Sequence, residues 1–309
     1  MPGPSANRIA GSLRVAGWLA ALTFAAAGAA AEPFGYVYGE VPGGDQGLLQ
    51  LDLETGDLTP VGPFGLPGAV RALALAPDGA LYGIEDTGPR LIRIDVATGD
   101  AQVVAALDFS EPYIDLSELT FDACGRLFAT GIVGLPPASH PLLEIALATG
   151  AVTERTAPGS DEVFSVAARG EELFVWTADG LARIEPETHL PVQVGPLPDE
   201  LGGPLDFDDT GVLWGYGLWP PGALPNPLPN IHVIHQIDPE AGAASEPIAT
   251  LPSSHGGLAI APPPGSCLSG TPLAVPALST GGIAVLVLSL LALGTFLLRR
   301  GAEAAGSCS

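Results

Sequence analysis

Three short motifs recur in a fixed order five times along the middle of this chain, and a repeat of that kind constrains the fold more than any other feature. The first motif is an apolar–aromatic pair: Val37-Tyr38, Leu81-Tyr82, Leu127-Phe128, Leu173-Phe174 and Leu213-Trp214. Its aromatics stand 44, 46, 46 and 40 residues apart, the length of a four-stranded propeller blade. The second runs into a turn, as in Leu51-Asp52-Leu53-Glu54-Thr55-Gly56 and Ile94-Asp95-Val96-Ala97-Thr98-Gly99, with further copies beginning at Ile145, Ile184 and Ile237. Glycine closing such a turn suits a positive φ. The third alternates large and small residues: Leu73-Ala74-Leu75, Leu119-Thr120-Phe121, Phe164-Ser165-Val166, Leu205-Asp206-Phe207 and Leu258-Ala259-Ile260. Alternation with period two marks a strand, and small residues on one face suit the crowded inner strand of a blade.

The last copy of the third motif has no apolar–aromatic strand after it. The missing partner is at the other end of the chain, in Gly35-Tyr36-Val37-Tyr38-Gly39. First and last segments therefore complete one blade together and close the ring, leaving no open sheet edge. The predicted fold is all-β: one β-propeller of five four-stranded blades over residues 32–265. An open stack, or six blades with one weak repeat, is the competing reading. The repeats are similar to those of secreted bacterial propellers with Leu-Tyr, Ile-Asp-x-x-Thr-Gly and Asp-Gly-x-Leu-Tyr patterns, and that resemblance implies a fold rather than an activity.

Both ends of the chain read as export signals. Arg8 and Arg14 precede an apolar run from Val15 to Ala30, and Ala29-Ala30-Ala31 offers an A-x-A cleavage site. Residues 1–31 are thus expected to be a signal peptide, with an uncleaved anchor as the alternative. Gly281 to Leu298 is an uncharged stretch of 18 residues, followed at once by Arg299 and Arg300. Residues 281–300 are expected to form a transmembrane helix with a basic stop, placing the propeller outside. Residues 266–280 form the linker before it, and 301–309 a short tail.

The linker carries a second resemblance. Val275-Pro276-Ala277-Leu278, then Gly281-Gly282, the apolar span and two arginines resemble the IPTL-CTERM sorting tail of Gram-negative bacteria. That pattern is Ile-Pro-Thr-Leu, two variable residues, Trp-Gly, a helix and a basic cluster. Pro276, Leu278, Gly282, Arg299 and Arg300 match it, whereas Val275, Ala277 and Gly281 depart from it. The resemblance implies an exosortase-type membrane protease as partner and a place in the envelope or on the surface of the cell. A plain membrane anchor is the competing reading.

The formal charge is −23, and none of the 11 basic residues is a lysine. Four of the 11 lie in the terminal segments (Arg8, Arg14, Arg299, Arg300), so the propeller is strongly acidic. Such a surface repels phosphate backbones and argues against nucleic-acid partners. Of the three cysteines, Cys308 falls beyond the span, which leaves Cys124 and Cys267 able to pair.

The turns after the first and third strands of each blade are tight and share one face of the disc. The other connections are longer, and they gather acids: Glu40, Asp45, Glu85, Asp86, Glu111, Asp115, Asp161, Glu162, Asp199 and Glu200. Clustered carboxylates suit Ca²⁺, and Glu85, Asp86 and Asp115 are the candidate ligands; solvating charge is the alternative. The Pro-rich loop from Leu218 to Asn230 carries Trp219, a candidate contact for a surface protein or glycan. Arg71, Glu118 and Asp206 are expected to line the central channel. Asp206 to Gly211 opens like an EF-hand loop, but Gly217 occupies the position that needs a bidentate Glu, which excludes that reading. His232 and His235 stand three apart on a strand and face opposite ways. No nucleophile elbow, zinc-protease or phosphate-loop motif is present.

Two functions follow. The first is a surface-displayed binding module without catalysis, working through the long-loop face. The second is a metal-dependent, lactonase-like hydrolase with Glu118 and Asp206 in the channel.

Overall fold

The computed structural model describes residues 34–109, 113–134, 139–155, 162–186, 188–196, 203–218, 231–252, 256–261 and 267. These form five four-stranded antiparallel sheets arranged as the blades of a propeller. Blade 1 contains β1 (Phe34–Glu40), β2 (Gln46–Asp52) and β3 (Leu58–Pro63). Blade 2 contains β4 (Val70–Leu75), β5 (Leu81–Glu85), β6 (Arg90–Ile94) and β7 (Ala101–Ala106). Blade 3 contains β8 (Tyr113–Phe121), β9 (Leu127–Val133), β10 (Leu142–Ile145) and β11 (Val152–Glu154). Blade 4 contains β12 (Val163–Arg169), β13 (Glu172–Thr177), β14 (Gly180–Ile184) and β15 (Pro191–Gly195). Blade 5 contains β16 (Leu205–Phe207), β17 (Leu213–Leu218), β18 (Ile231–Ile237) and β19 (Ala249–Pro252). The last strand, β20 (Gly256–Ala259), returns to blade 1 as its innermost strand and pairs antiparallel with β1 through Tyr36↔Ala259 and Tyr38↔Gly256. The ring closes as the repeats require.

The turn motif has a direct physical cause. Asp52 Oδ1 accepts hydrogen bonds from the amides of Glu54 and Thr55, and Asp95 Oδ1 accepts one from Ala97. The threonine hydroxyl then accepts from the amide two residues on: Asp57 to Thr55, Asp100 to Thr98, Ala151 to Thr149. The closing glycine lies at φ +77°, +83°, +73° and +68° in blades 1, 2, 3 and 5. In blade 4 the same place is held by His189 at φ +58°, the one residue other than glycine with positive φ among the described residues. The tight turns of the other kind use Asp in the same way. Asp208 Oδ1 accepts from the amides of Thr210 and Val212, while Oδ2 accepts from Trp214 Nε1.

Register corrects two motif alignments. Leu81 pairs with Ile94, but in blade 1 the residue opposite Leu51 is Gly35. Tyr36, not Tyr38, is therefore the counterpart of Tyr82, and the aromatic spacing becomes 46, 46, 46 and 40. Likewise Ala167 faces Phe174 as Ala74 faces Tyr82, so Val166-Ala167-Ala168 rather than Phe164-Ser165-Val166 is the inner-strand copy. Both slips are of two residues. A two-residue slip keeps every side chain on its face, so alternation alone does not detect it.

The core is five apolar clusters, one at each interface between blades. Polar clamps cross these interfaces. Gln46 Nε2 donates to Val70 O at 3.0 Å, and Val70 N donates back to Gln46 Oε1 at 2.6 Å, tying blade 1 to blade 2. Thr130 Oγ1 donates to Phe164 O, and Leu205 N donates to Ser165 Oγ. Gln46→Leu would leave the Val70 amide and carbonyl without these partners. The expected cost is about 1–3 kcal/mol, seen as a lower midpoint of thermal unfolding.

Cys124, in the turn after β8, is joined in a disulfide to Cys267, with Cα atoms 4.8 Å apart. The covalent frame of the propeller thus reaches past residue 265. Among the described residues no helix is long and apolar enough to cross a membrane. Residues 1–31 and 268–309, with Pro276, Leu278, Gly282, Arg299 and Arg300, lie outside the described residues.

Candidate functional site in the central channel

The inner strands are apolar except where they approach the axis. Glu118 stands at the sixth position of β8 and Asp206 in the middle of β16. Tyr38 reaches inward from β1 and Tyr216 from β17. These four residues belong to blades 3, 5, 1 and 5, yet electrostatic influence passes between them across the ring. The charge of Asp206 acts on Glu118, and Glu118 acts on both Tyr38 and Tyr216. Side chains from blades that do not adjoin meet in this way only near the axis.

Local sequence explains the placement. Tyr38 lies across β20, where a Cβ on Gly256 would sit 2.4 Å from the Tyr38 hydroxyl. Glycine at 256 is therefore what admits this tyrosine to the centre. β8 carries a register shift between Leu116 and Glu118, a bulge that sets Glu118 opposite Thr130. Asp206 is held from two sides. Its Oδ1 accepts from Phe207 N at 2.9 Å, and its Oδ2 accepts from Ile260 N at 2.7 Å, next to the closing strand.

Burial sets the electrostatics. Glu118 is 5% exposed, and its Oε2 has no hydrogen-bond partner. Burial first, and the charge of Asp206 second, hold its carboxyl well above the usual range and favour its uncharged form. Asp206 borders the channel and keeps some solvent contact, but protein surrounds it on all sides. Burial pushes it up to about 7, against the two amides that favour its charged form. Burial also raises the Tyr38 hydroxyl to about 12, with Glu118 and Asp115 adding and Arg71 opposing, and it raises Tyr216 further. The ring of His232 stands edge-on to Tyr216, with centroids 4.6 Å apart. His235 turns the other way and meets Ser245 O at 2.7 Å.

The remaining sequence candidates divide. Arg71 lies at the start of β4 near Tyr38 and Asp115, with Nε donating to Asp86 Oδ2 at 3.0 Å. Asp86 also caps the Ala69 amide. Glu85 is fully buried and pairs with Arg90 at 2.5 Å. Glu85 and Asp86 are thus each spent on a different arginine, and with Asp115 they do not form a set of calcium ligands. Among the described residues only one group of three Cys, His, Asp or Glu brings its ligand atoms within 4.8 Å of one another. It is Cys124, Glu171 and Cys267, whose sulfurs are already bonded to each other. Calcium takes six to eight oxygens, and the channel pair of Glu118 and Asp206 does not meet that demand. Trp219, with most of its loop, and Glu111, Asp161, Asp199 and Glu200 lie outside the described residues.

Sequence reading takes Tyr38 only as the aromatic of a strand motif and does not single out Tyr216. The signal was present: Gly256-Gly257 in an inner strand, opposite a tyrosine, marks a space left open for that side chain.

No family model and no curated protein matches the chain. Solved propellers resemble it at low identity. A gluconolactonase from Xanthomonas campestris aligns at 14% identity and a TM-score of 0.45, covering 69% of this chain and 74% of the other. A nidogen/laminin complex aligns at 12% and 0.45, covering 74% and 98%. The calcium-binding protein regucalcin from Agrobacterium tumefaciens aligns at 19% and 0.43, covering 69% and 70%. These likenesses extend from a gluconolactonase to a nidogen/laminin complex, and none bears on activity.

Proposed function

We propose that the protein is a hydrolase whose chemistry sits in the central channel, acting on a small uncharged ester, cyclic esters included. One observation carries the reading: two carboxyl groups from blades 3 and 5 meet at the axis, Glu118 buried with its uncharged form favoured and Asp206 partly exposed and pushed up to about 7. Paired groups whose environments push their protonation apart are the usual arrangement for acid and base work. An acidic channel without lysine disfavours anionic substrates.

The step would use both carboxyls. Asp206, ionised, takes a proton from a water molecule while that water's oxygen bonds to the ester carbonyl carbon. The C–O bond to the alcohol breaks, and Glu118 gives its proton to the departing oxygen. An acid and an alcohol leave, or one hydroxy acid from a cyclic ester. Proton exchange with solvent then resets both carboxyls. Tyr38 and Tyr216, both held as neutral phenols, are placed to donate to the carbonyl oxygen.

The test is hydrolysis of a panel of γ- and δ-lactones and p-nitrophenyl acetate, with and without added Ca²⁺ and with chelator. Asp206→Asn and Glu118→Gln are each expected to lower kcat/KM by about 10²-fold. The wild-type rate should rise through about pH 7 as Asp206 loses its proton. Unchanged rates in both variants would reject the channel as the site. Loss of activity with chelator would add a metal that the two carboxylates alone do not hold. The export and sorting of the chain, read from its two ends, belong to the same proposal and place this activity outside the cytoplasm.

A further inference from the structure

Blades 3 and 4 enclose a second cavity, of about 150 Å³, that the channel chemistry does not use. Its floor is apolar, with Phe128 from β9 and Ile184 from β14. Its rim carries Arg126, Glu144, Arg155, Glu171 and His189. The propeller has seven arginines and no lysine, so two guanidinium groups at one small cavity are a concentration of its scarce positive charge. Both are anchored. Arg126 Nε donates to Asp122 Oδ2 at 2.6 Å, its Nη2 lies 3.7 Å from Glu171 Oε2, and its guanidinium lies 5.6 Å from the Phe128 ring centre. Arg155 bonds Glu144 through Nε and Nη2. The anchoring fixes their orientation, and the five N–H groups of a guanidinium exceed these contacts.

His189 is the independent observation. Four blades close the equivalent turn with glycine, because the left-handed conformation there strains any side chain. Blade 4 alone carries a side chain at that point, and it is the blade whose turn borders this cavity. A residue held against its local preference points to a function rather than to folding.

From this juxtaposition we infer that the cavity between blades 3 and 4 binds a free α-amino acid with an apolar side chain. Its carboxylate meets Arg126 and Arg155, its ammonium meets Glu144, and its side chain lies on Phe128 and Ile184. A simple anion is disfavoured by the two carboxylates on the rim, Glu144 and Glu171, and a simple cation by the two guanidiniums. A zwitterion satisfies both. The volume suits a single small metabolite and is well below the 300–1,000 Å³ typical of drug-sized ligands.

The test is calorimetric titration of the full-length chain with L-valine, L-leucine and L-phenylalanine, each beside its N-acetyl derivative and its methyl ester. At least one free amino acid is expected to bind, with both blocked forms about tenfold or more weaker, since each loses one charged contact. His189→Gly separates binding from stability. It should leave the melting temperature unchanged or raise it by about 2–4 °C, because glycine relieves the strained turn, while weakening the bound amino acid. Arg155→Gln should weaken binding of the free amino acid and not of its methyl ester. Absence of binding by all three amino acids at 10 mM (about the weakest affinity a calorimeter reads) would overturn the inference. Equal binding of free and blocked forms, or unweakened binding in His189→Gly, would overturn it as well.

Discussion

Replacing both Cys124 and Cys267 by alanine is expected to lower the melting temperature by about 10 °C or more. The two residues are 143 apart in sequence, and the loop they close contains blade 4, blade 5 and most of blade 3. Closing a loop of that length in the unfolded chain corresponds to about 5 kcal/mol on an entropic estimate, with 2–4 kcal/mol the commoner experimental range. For a domain of this size each kcal/mol moves the melting temperature by about 2–4 °C. The position adds to the effect. β20 has four residues and holds its place in blade 1 by pairing with β1 at Tyr36 and Tyr38. The disulfide lies just beyond it and ties the chain after β20 to the turn after β8. Without the bond, β20 should fray first. Hydrogen exchange at Leu258 and Ala259 is the direct measurement: faster exchange there in the double variant, with blade 3 little changed, is the expected pattern. Uniform acceleration around the ring would mean that the bond acts on the unfolded state alone.

The same closing strand shows which parts of the fold are legible in sequence. Five blades and a shared first blade follow from repeat order, because an orphaned inner-strand motif at one end and an orphaned second strand at the other must meet. The turns are legible for a chemical reason: Asp, Thr and Gly each serve a separate hydrogen bond or dihedral in them. Exact register is not. Val37-Tyr38 and Gly35-Tyr36 fit a strand equally well, and only the pairing of Gly35 with Leu51 separates them. Glu118 and Asp206 are visible as candidates because carboxylates interrupt strands that are otherwise apolar. Their coupling is not, since it joins blades 3 and 5 across the axis and depends on how far each inner strand leans inward. The calcium set of Glu85, Asp86 and Asp115 is not assembled here, because Arg90 and Arg71 pair with two of the three acids. In the sequence His189 is a single histidine in a turn. Its significance depends on a dihedral angle and on a neighbouring blade, and neither is written in local sequence.

Asp206→Asn is expected to stabilise the protein above pH 8 and to leave it almost unchanged at pH 4. The folded-state pKa of Asp206 is raised to about 7 from an ordinary 3.8. A raised carboxyl binds its proton more tightly in the folded state than in the unfolded one. Stability from this source is therefore complete below about pH 4 and is lost as pH rises through 7. The full span corresponds to at most about 4 kcal/mol, and to less in practice because Asp206 keeps some solvent contact. Asparagine carries no charge at any pH and retains an oxygen for the Ile260 or Phe207 amide, so the variant should not share this loss. Glu118 adds to the wild-type loss in the same direction, since its carboxyl too is raised by burial. Melting curves of wild type and Asp206→Asn from pH 4 to 9 measure the difference: nearly coincident at the acid end, diverging from about pH 5, and separated by several degrees at pH 8. A gap that stayed constant with pH would show that Asp206 does not titrate in this range, and it would remove the base from the proposed reaction. A variant that is more stable at pH 8 and also slower on esters by about 10²-fold would mark Asp206 as a charge kept at a cost to folding for the sake of chemistry. A purely structural carboxylate predicts the opposite sign, because Asp206 would then stabilise the ring through its bonds to Ile260 and Phe207, and its loss would lower the melting temperature at every pH.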